Sequence, residues 1–233
     1  TNFTSTMKNE LVYGKDFIRD GRLVAKSSVL TGKANYSWVA QKISDLKVDT
    51  VVDLGCGSGD IIIDFCKRQN SFRGVGLDID PQAIQVATEN IKQNKLEDRI
   101  ELITGDMLDP STYSHKISSK GEKVAFNAIM ALHEFLINGE IAVINVLKKM
   151  KKEFPGSYFI LGEFNRCTDE EFNKIPLYDR MHMLFYQEII HGLTDQDLAS
   201  LDTWKKIFNE ADVELIEYKS DFPFRLVEYI LKF

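Results

Sequence analysis

Residues Thr50-Val51-Val52-Asp53-Leu54-Gly55-Cys56-Gly57-Ser58-Gly59-Asp60 decide the fold. Val51 and Val52 are β-branched and apolar, as a buried strand requires. Gly55, Gly57 and Gly59 follow as a turn, and Ile61 to Phe65 begin an apolar run compatible with a helix. A strand that turns through glycines into a helix leaves bare backbone beside a helix N-terminus, where a ligand can lie. The spacing is G-x-G-x-G, not the G-x-G-x-x-G of dinucleotide loops, so a pyrophosphate is not the expected guest.

The next two strands extend the pattern. Phe72 to Asp80 reads as a second buried strand that ends in acid, and Asp78 falls nineteen residues after Gly59. That offset is close to the ~20 residues at which a ribose-binding carboxylate follows a glycine loop. A third strand, Ile100 to Thr104, runs into Gly105-Asp106-Met107. Glycine loop, acid and acid thus stand in order at three strand ends. This arrangement resembles the class I S-adenosylmethionine-dependent methyltransferases. Asp53 to Gly59 looks like their first motif, Asp78 stands at their ribose acceptor, and Gly105-Asp106 at their adenine-contacting acid. The resemblance implies S-adenosyl-L-methionine as cofactor, held by Asp53, Gly55, Gly57, Gly59, Asp78, Ile79, Gly105, Asp106 and Met107. It also implies an α/β fold: a Rossmann-like seven-stranded, mostly parallel sheet, helices on both faces, and a small N-terminal helical cap.

Size and charge are consistent with that fold. The 233 residues allow one domain with a full core. A net charge of −6 argues against nucleic acid as main partner, since such proteins carry a basic footprint. The basic cluster Lys148-Lys149 and Lys151-Lys152 sits at an expected helix end, where cations offset the macrodipole. Cys56, Cys66 and Cys167 are too few and scattered for a disulfide framework, which fits a reducing cytoplasm. No apolar run reaches the ~18 residues of a membrane span, so no membrane partner is expected. A monomer and a homodimer are both compatible with the sequence.

Residues 1–46 read as a helical cap and 47–233 as the catalytic domain, with an insertion at about 165–192. Within the cap, Tyr36 and Trp38 are candidates for contact with substrate or cofactor. Asp80-Pro81 opens a helix as N-cap and first turn. Pro110 to Lys123 reads as a polar loop and Val124 to Leu132 as a fourth strand. Ile141 to Met150 is a helix, Tyr158 to Glu163 a fifth strand and Asp197 to Ala211 a last helix. Val213 to Tyr218 and Phe224 to Lys232 finish the chain as strands, the last antiparallel by the resemblance. Strand and helix in alternation predict a parallel sheet covered on both faces, with ligands at the carboxyl ends of the strands.

That rule directs attention to Leu132-His133-Glu134-Phe135 after the fourth strand and Gly162-Glu163-Phe164 after the fifth. A histidine can take a proton from a hydroxyl near neutral pH, and a carboxylate beside it fixes the tautomer. The stretch resembles the Leu-His-Asp-Trp region of small-molecule O-methyltransferases, which implies His133 as general base with Glu163 in support. Phe164, Arg166 and Tyr186 are placed as acceptor contacts, beside Met181, Met183 and Phe185; Arg180 is a second cation there. His133, Glu134 and His191 are also similar to the metal ligands of C-methyltransferases that act on 2-oxo acids. That likeness implies a divalent ion such as Fe2+. Glu134 departs from it, standing where that branch has Asp. The expected activity is methyl transfer from S-adenosylmethionine to a small molecule, O-methylation being favoured. Metal-dependent C-methylation and an idle cofactor-binding subunit stand as alternatives.

Overall fold

Seven strands of the described residues form one sheet: β1 (Thr50–Leu54), β2 (Arg73–Asp78), β3 (Ile100–Thr104), β4 (Val124–Ile129), β5 (Tyr158–Phe164), β6 (Glu214–Ser220) and β7 (Leu226–Lys232). Their order is β3-β2-β1-β4-β5-β7-β6. β1 to β5 pair in parallel, and β7 lies antiparallel between β5 and β6. The structure is a computed structural model that describes residues 3–8, 10–13, 15–17, 37–117, 123–194, 196–220 and 226–233.

The helices are α1 (Phe3–Met7), α2 (37–46), α3 (Asp60–Arg68), α4 (Pro81–Gln93) and α5 (Ser114–Ile117). They continue as α6 (Glu140–Glu153), α7 (Asp169–Lys174), α8 (Leu177–Met183), α9 (His191–Leu193) and α10 (Leu201–Glu210). Short 3₁₀ turns span Pro110–Thr112 and Leu132–Asn138, and a π-helical stretch, Leu184–Ile190, joins α8 to α9.

Successive residues of a strand point to opposite faces, so one apolar strand feeds two cores. Val52, Leu54, Phe126 and Ala128 pack with Val143 and Leu147 of α6 and with Trp204 and Phe208 of α10. Val51, Ala125, Ile160 and Ile230 pack on the other face with Val39 and Ile43 of α2 and Ile62 and Phe65 of α3. Each large side chain so buried contributes roughly 1.5–3 kcal/mol. Local chemistry sets the helix starts. Asp80 caps α4 by accepting from the Gln82 N–H at 2.8 Å, with Pro81 in the first turn, and Ser200 accepts from the Thr203 N–H to open α10.

Several expectations need correction. The fourth strand stops at Ile129, because Met130 adopts a left-handed φ of 57° and turns the chain into the 3₁₀ segment that carries His133. The expected polar loop after Pro110 is partly helical and sends Tyr113 and Ile117 into the core. The last helix begins at Leu201, four residues later than expected, where Ser200 supplies the cap. Half of the expected N-terminal cap, including Tyr36, lies outside the described residues. Of the rest, α2 packs on the sheet and α1 lies against α9.

Candidate active site

The strand order reverses between β1 and β4, whose following helices α3 and α6 depart to opposite faces. A crevice for a ligand opens at the carboxyl end of such a switch point. Asp53 and Asn127 sit there as register partners, and the Asn127 amide donates to Asp53 Oδ1 at 2.7 Å. Asp53 is 2% exposed and Asn127 fully buried. The remaining oxygens, Asp53 Oδ2 and Asn127 Oδ1, have no hydrogen-bond partner among the described residues. Burial pushes the Asp53 carboxyl up to about 7, opposed by the Asn127 hydrogen bond and reinforced by the charge of Asp78. Two buried orphan acceptors side by side call for a donor from a ligand, and a cationic ammonium group suits them.

The glycine loop lies over this pair. Gly55, Gly57 and Gly59 all have left-handed φ values, 72°, 54° and 77°, which L side chains resist. The Gly55 and Cys56 N–H groups donate to the Leu77 carbonyl at 2.8 and 3.0 Å, binding the loop to β2. A Cβ on Gly76 would come within 2.7 Å of Leu102 and 2.9 Å of the Cys56 sulfur, so only glycine lets the loop descend this far. The Asp78 carboxylate then joins loop to strand end. Its Oδ2 accepts from the Gly57 N–H and its Oδ1 from the Asp80 N–H, both at 2.9 Å. Burial raises its pKa, and those backbone donors pull the other way. Ile79, beside it, is 67% exposed. Asp106 Oδ1 accepts from the Leu108 N–H at 2.9 Å, and the Met107 methyl lies 3.3 Å from where a Gly55 Cβ would stand. Asp78 and Met107 therefore both border the glycine loop.

On the other side of the crevice, Glu163 at the end of β5 is fully buried and organises the His133 turn. Its Oε1 accepts from the backbone N–H groups of Ala131, Leu132 and His133 at 3.2, 2.7 and 3.4 Å. Its Oε2 lies 2.7 Å from His133 Nδ1. A carboxylate only accepts, so Nδ1 carries the proton and Nε2 is the basic nitrogen of the neutral ring. The His191 ring meets the His133 ring edge-on, with centroids 5.2 Å apart and planes at 66°.

The other sequence candidates are distributed more widely. Trp38 lies under the ammonium groups of Lys42 and Lys219, 5.4 and 5.8 Å from its ring, and so sits at the β6 edge, away from the switch point. Phe164 ends β5 beside the dyad. Arg166 is half-exposed and pairs with Asp197 at 3.1 Å. Tyr186 falls in the π-helical stretch, and its side chain lies outside the described residues. Met183 is buried, while Met181 and Phe185 face outward. Arg180 lies across the Phe172 ring at 5.9 Å, and its buried Nε has no hydrogen-bond partner among the described residues.

The metal expectation finds no support among the described residues. Among the described residues no three His, Cys, Asp or Glu side chains are grouped to hold an ion. His133 and His191 do converge, but Glu134 Oε1 accepts from the Gln196 amide at 2.8 Å, and His133 Nδ1 is taken by Glu163. The sequence reasoning missed Asn127, Asn165 and Gln196. Asn127 had a signal, a lone polar residue in the apolar strand Val124-Ala125-Phe126-Asn127-Ala128-Ile129. Asn165 exchanges hydrogen bonds with the Tyr229 hydroxyl across β5 and β7, and nothing local in the sequence announces it.

Comparison with known proteins bears on the family and the fold. Residues 45–212 match the family model described as a methyltransferase domain. Among curated proteins, the ribosomal protein L11 methyltransferase of Enterobacter sp. is 47% identical over 58 residues, 25% of this chain and 20% of that protein. Among solved structures, a Nostoc punctiforme protein with an inferred O-methyltransferase activity superposes with a TM-score of 0.73 at 14% identity, covering 100% of this chain and 67% of that one. The mitomycin 7-O-methyltransferase MmcR superposes with a TM-score of 0.68 at 13% identity, covering 99% and 66%. The chain thus spans about two thirds of the length of those two solved chains and a fifth of the curated relative. By the family match over most of its length, this chain belongs to the methyltransferase-domain family, with the fold of the class I S-adenosylmethionine-dependent enzymes.

Proposed function

We propose that the protein methylates a hydroxyl group of a small molecule, with S-adenosylmethionine as donor and His133 as general base. The observation that carries this reading is the buried Glu163–His133 pair at 2.7 Å, set at the strand ends of the crevice. When bound, the cofactor supplies an electrophilic sulfonium methyl. The orphan oxygens of Asp53 and Asn127 fit its ammonium group, and the Asp78 carboxylate fits its ribose hydroxyls. Exposed Ile79 and the Met107 thioether offer apolar cover for a base. The glycine backbone admits a chain that no side chain would leave room for.

His133 takes the hydroxyl proton at Nε2 as the oxygen–carbon bond forms and the carbon–sulfur bond breaks, the electron pair going to sulfur. Glu163 keeps Nδ1–H in place and stabilises the imidazolium that results. Much of the acceleration comes from holding acceptor and methyl in line.

The solved neighbours are O-methyltransferases by name, one of them acting on mitomycin, whereas the curated relative acts on a ribosomal protein by name. Incubation with methyl-labelled S-adenosylmethionine and a set of phenols and hydroxy acids separates the possibilities. Label in the small-molecule fraction, lost in His133→Ala, is the expected result. Label in added ribosomal protein would replace the acceptor, and no transfer to either would favour a cofactor-binding subunit.

A further inference from the structure

The contact between His133 and His191 reaches beyond the dyad. Glu163 fixes one nitrogen of the His133 ring, a hold that is lost whenever the ring turns about its Cβ–Cγ bond. The His191 ring lies edge-on against it at 5.2 Å, and His191 itself is 3% exposed. The backbone beneath His191 is fastened, since its carbonyl accepts from the Thr194 and Gln196 N–H groups at 3.1 and 3.0 Å. One residue along on the facing turn, Glu134 accepts from the Gln196 side chain at 2.8 Å. The end of the helical insertion is thereby tied to the dyad turn at two consecutive residues, 133 and 134, once by a ring and once by a hydrogen bond. An edge-to-face aromatic pair prefers this crossed arrangement over parallel contact and adds about 0.5–1.5 kcal/mol beyond burial.

We infer that His191 is a positioning residue, whose ring blocks the swing of the His133 imidazole and so holds the base in one orientation. The inference rests on the reading of His133 as base, and it assigns to His191 a ring contact in place of a nitrogen ligand. Through Gln196 and Glu134, the same turn links the order of the insertion to the order of the base.

The ring and the nitrogens of His191 can be separated by substitution. His191→Phe keeps a flat ring without nitrogen, and His191→Asn keeps polar nitrogen without the ring. The chain has four histidines, so the imidazole N–H signals of 15N-labelled protein are few enough to assign. The His133 Nδ1 proton is expected to exchange slowly with water in the wild type and in His191→Phe. Its exchange should be about tenfold faster or more in His191→Asn, as the ring opens locally. Affinity for S-adenosylhomocysteine, measured by calorimetry, should be the same in all three. Equal exchange in wild type and His191→Asn overturns the inference, as does His191→Phe exchanging as fast as His191→Asn. Lost S-adenosylhomocysteine binding in His191→Asn also overturns it, since the effect would then extend beyond the base. The measurement needs no acceptor, so it stands apart from methyl transfer, for which loss of turnover in His133→Ala is the check.

Discussion

At the scale of single residues, Asp53 links the site to pH. Its folded pKa of about 7 lies above the ordinary 3.8, so between these values the folded protein holds a proton that the unfolded chain has released. The stability this contributes is complete below the unfolded pKa and is lost as pH rises through about 7. Thermal melts of the cofactor-free protein should therefore give a higher Tm near pH 5 than near pH 8, and Asp53→Asn should flatten that part of the profile. An Asp53→Asn protein with an unchanged slope would mean that other groups dominate. A ligand ammonium would draw the same proton off, so cofactor affinity should rise over the window in which stability falls. Asp78 makes a separate prediction. Its carboxylate already orders Gly57 and Asp80, and Asp78→Ala should weaken cofactor binding by about 2–3 kcal/mol, the scale of hydrogen bonds to a charged group. Calorimetry on a folded variant with wild-type affinity would remove Asp78 from the site.

At the scale of elements, the glycine loop is a unit with β2 rather than an independent turn. Gly76→Ala would press a methyl group on Leu102 and the Cys56 sulfur, so it should cost about 1–3 kcal/mol in denaturant unfolding and loosen the loop above it. Gly57→Val should leave the sheet intact and abolish cofactor binding, because φ there is 54° and its N–H serves Asp78. Tight binding by that variant would show that the loop is a turn only. These positions also show what a sequence discloses. Val51-Val52, the glycines, Asp78 and the strand–helix alternation were legible, since each follows from local chemistry or period. The Asp80-Pro81 helix start was legible for the same reason. The end of β4 was not, because a methionine at positive φ obeys the tertiary hydrogen bond from its own N–H to Gly162 at 2.7 Å, not its own preference. His133 and Glu163 were legible as strand-end residues, but their contact with each other was not a local property. Still less so was the link from Gln196 to Glu134, sixty-two residues apart.

At the scale of the whole molecule, the two cores share one sheet, and the buried Asp53–Asn127 pair stands between them at the point where ligands gather. No described helix is long and apolar enough to cross a membrane. The order of strands in space departs from the order in sequence at two places, the β1–β4 switch point and the far end of the sheet. β7, the last strand formed in sequence, fills the gap between β5 and β6, pairing along all seven residues of β5. Its consequence concerns time rather than geometry. Until residues 226–232 are made and docked, β5 presents an open edge in the middle of the future sheet, directly beside Glu163. A chain emerging from the ribosome must keep that edge from pairing elsewhere while its neighbour is still unsynthesised, a delay that non-local pairing always lengthens. Shortening the chain at residue 225 should therefore give aggregation-prone protein, assayed by light scattering on refolding, whereas the full chain refolds with its slow phase assigned to β7 docking. A truncated chain that refolds as a soluble monomer would show that synthesis need not reach β7 before the sheet is safe.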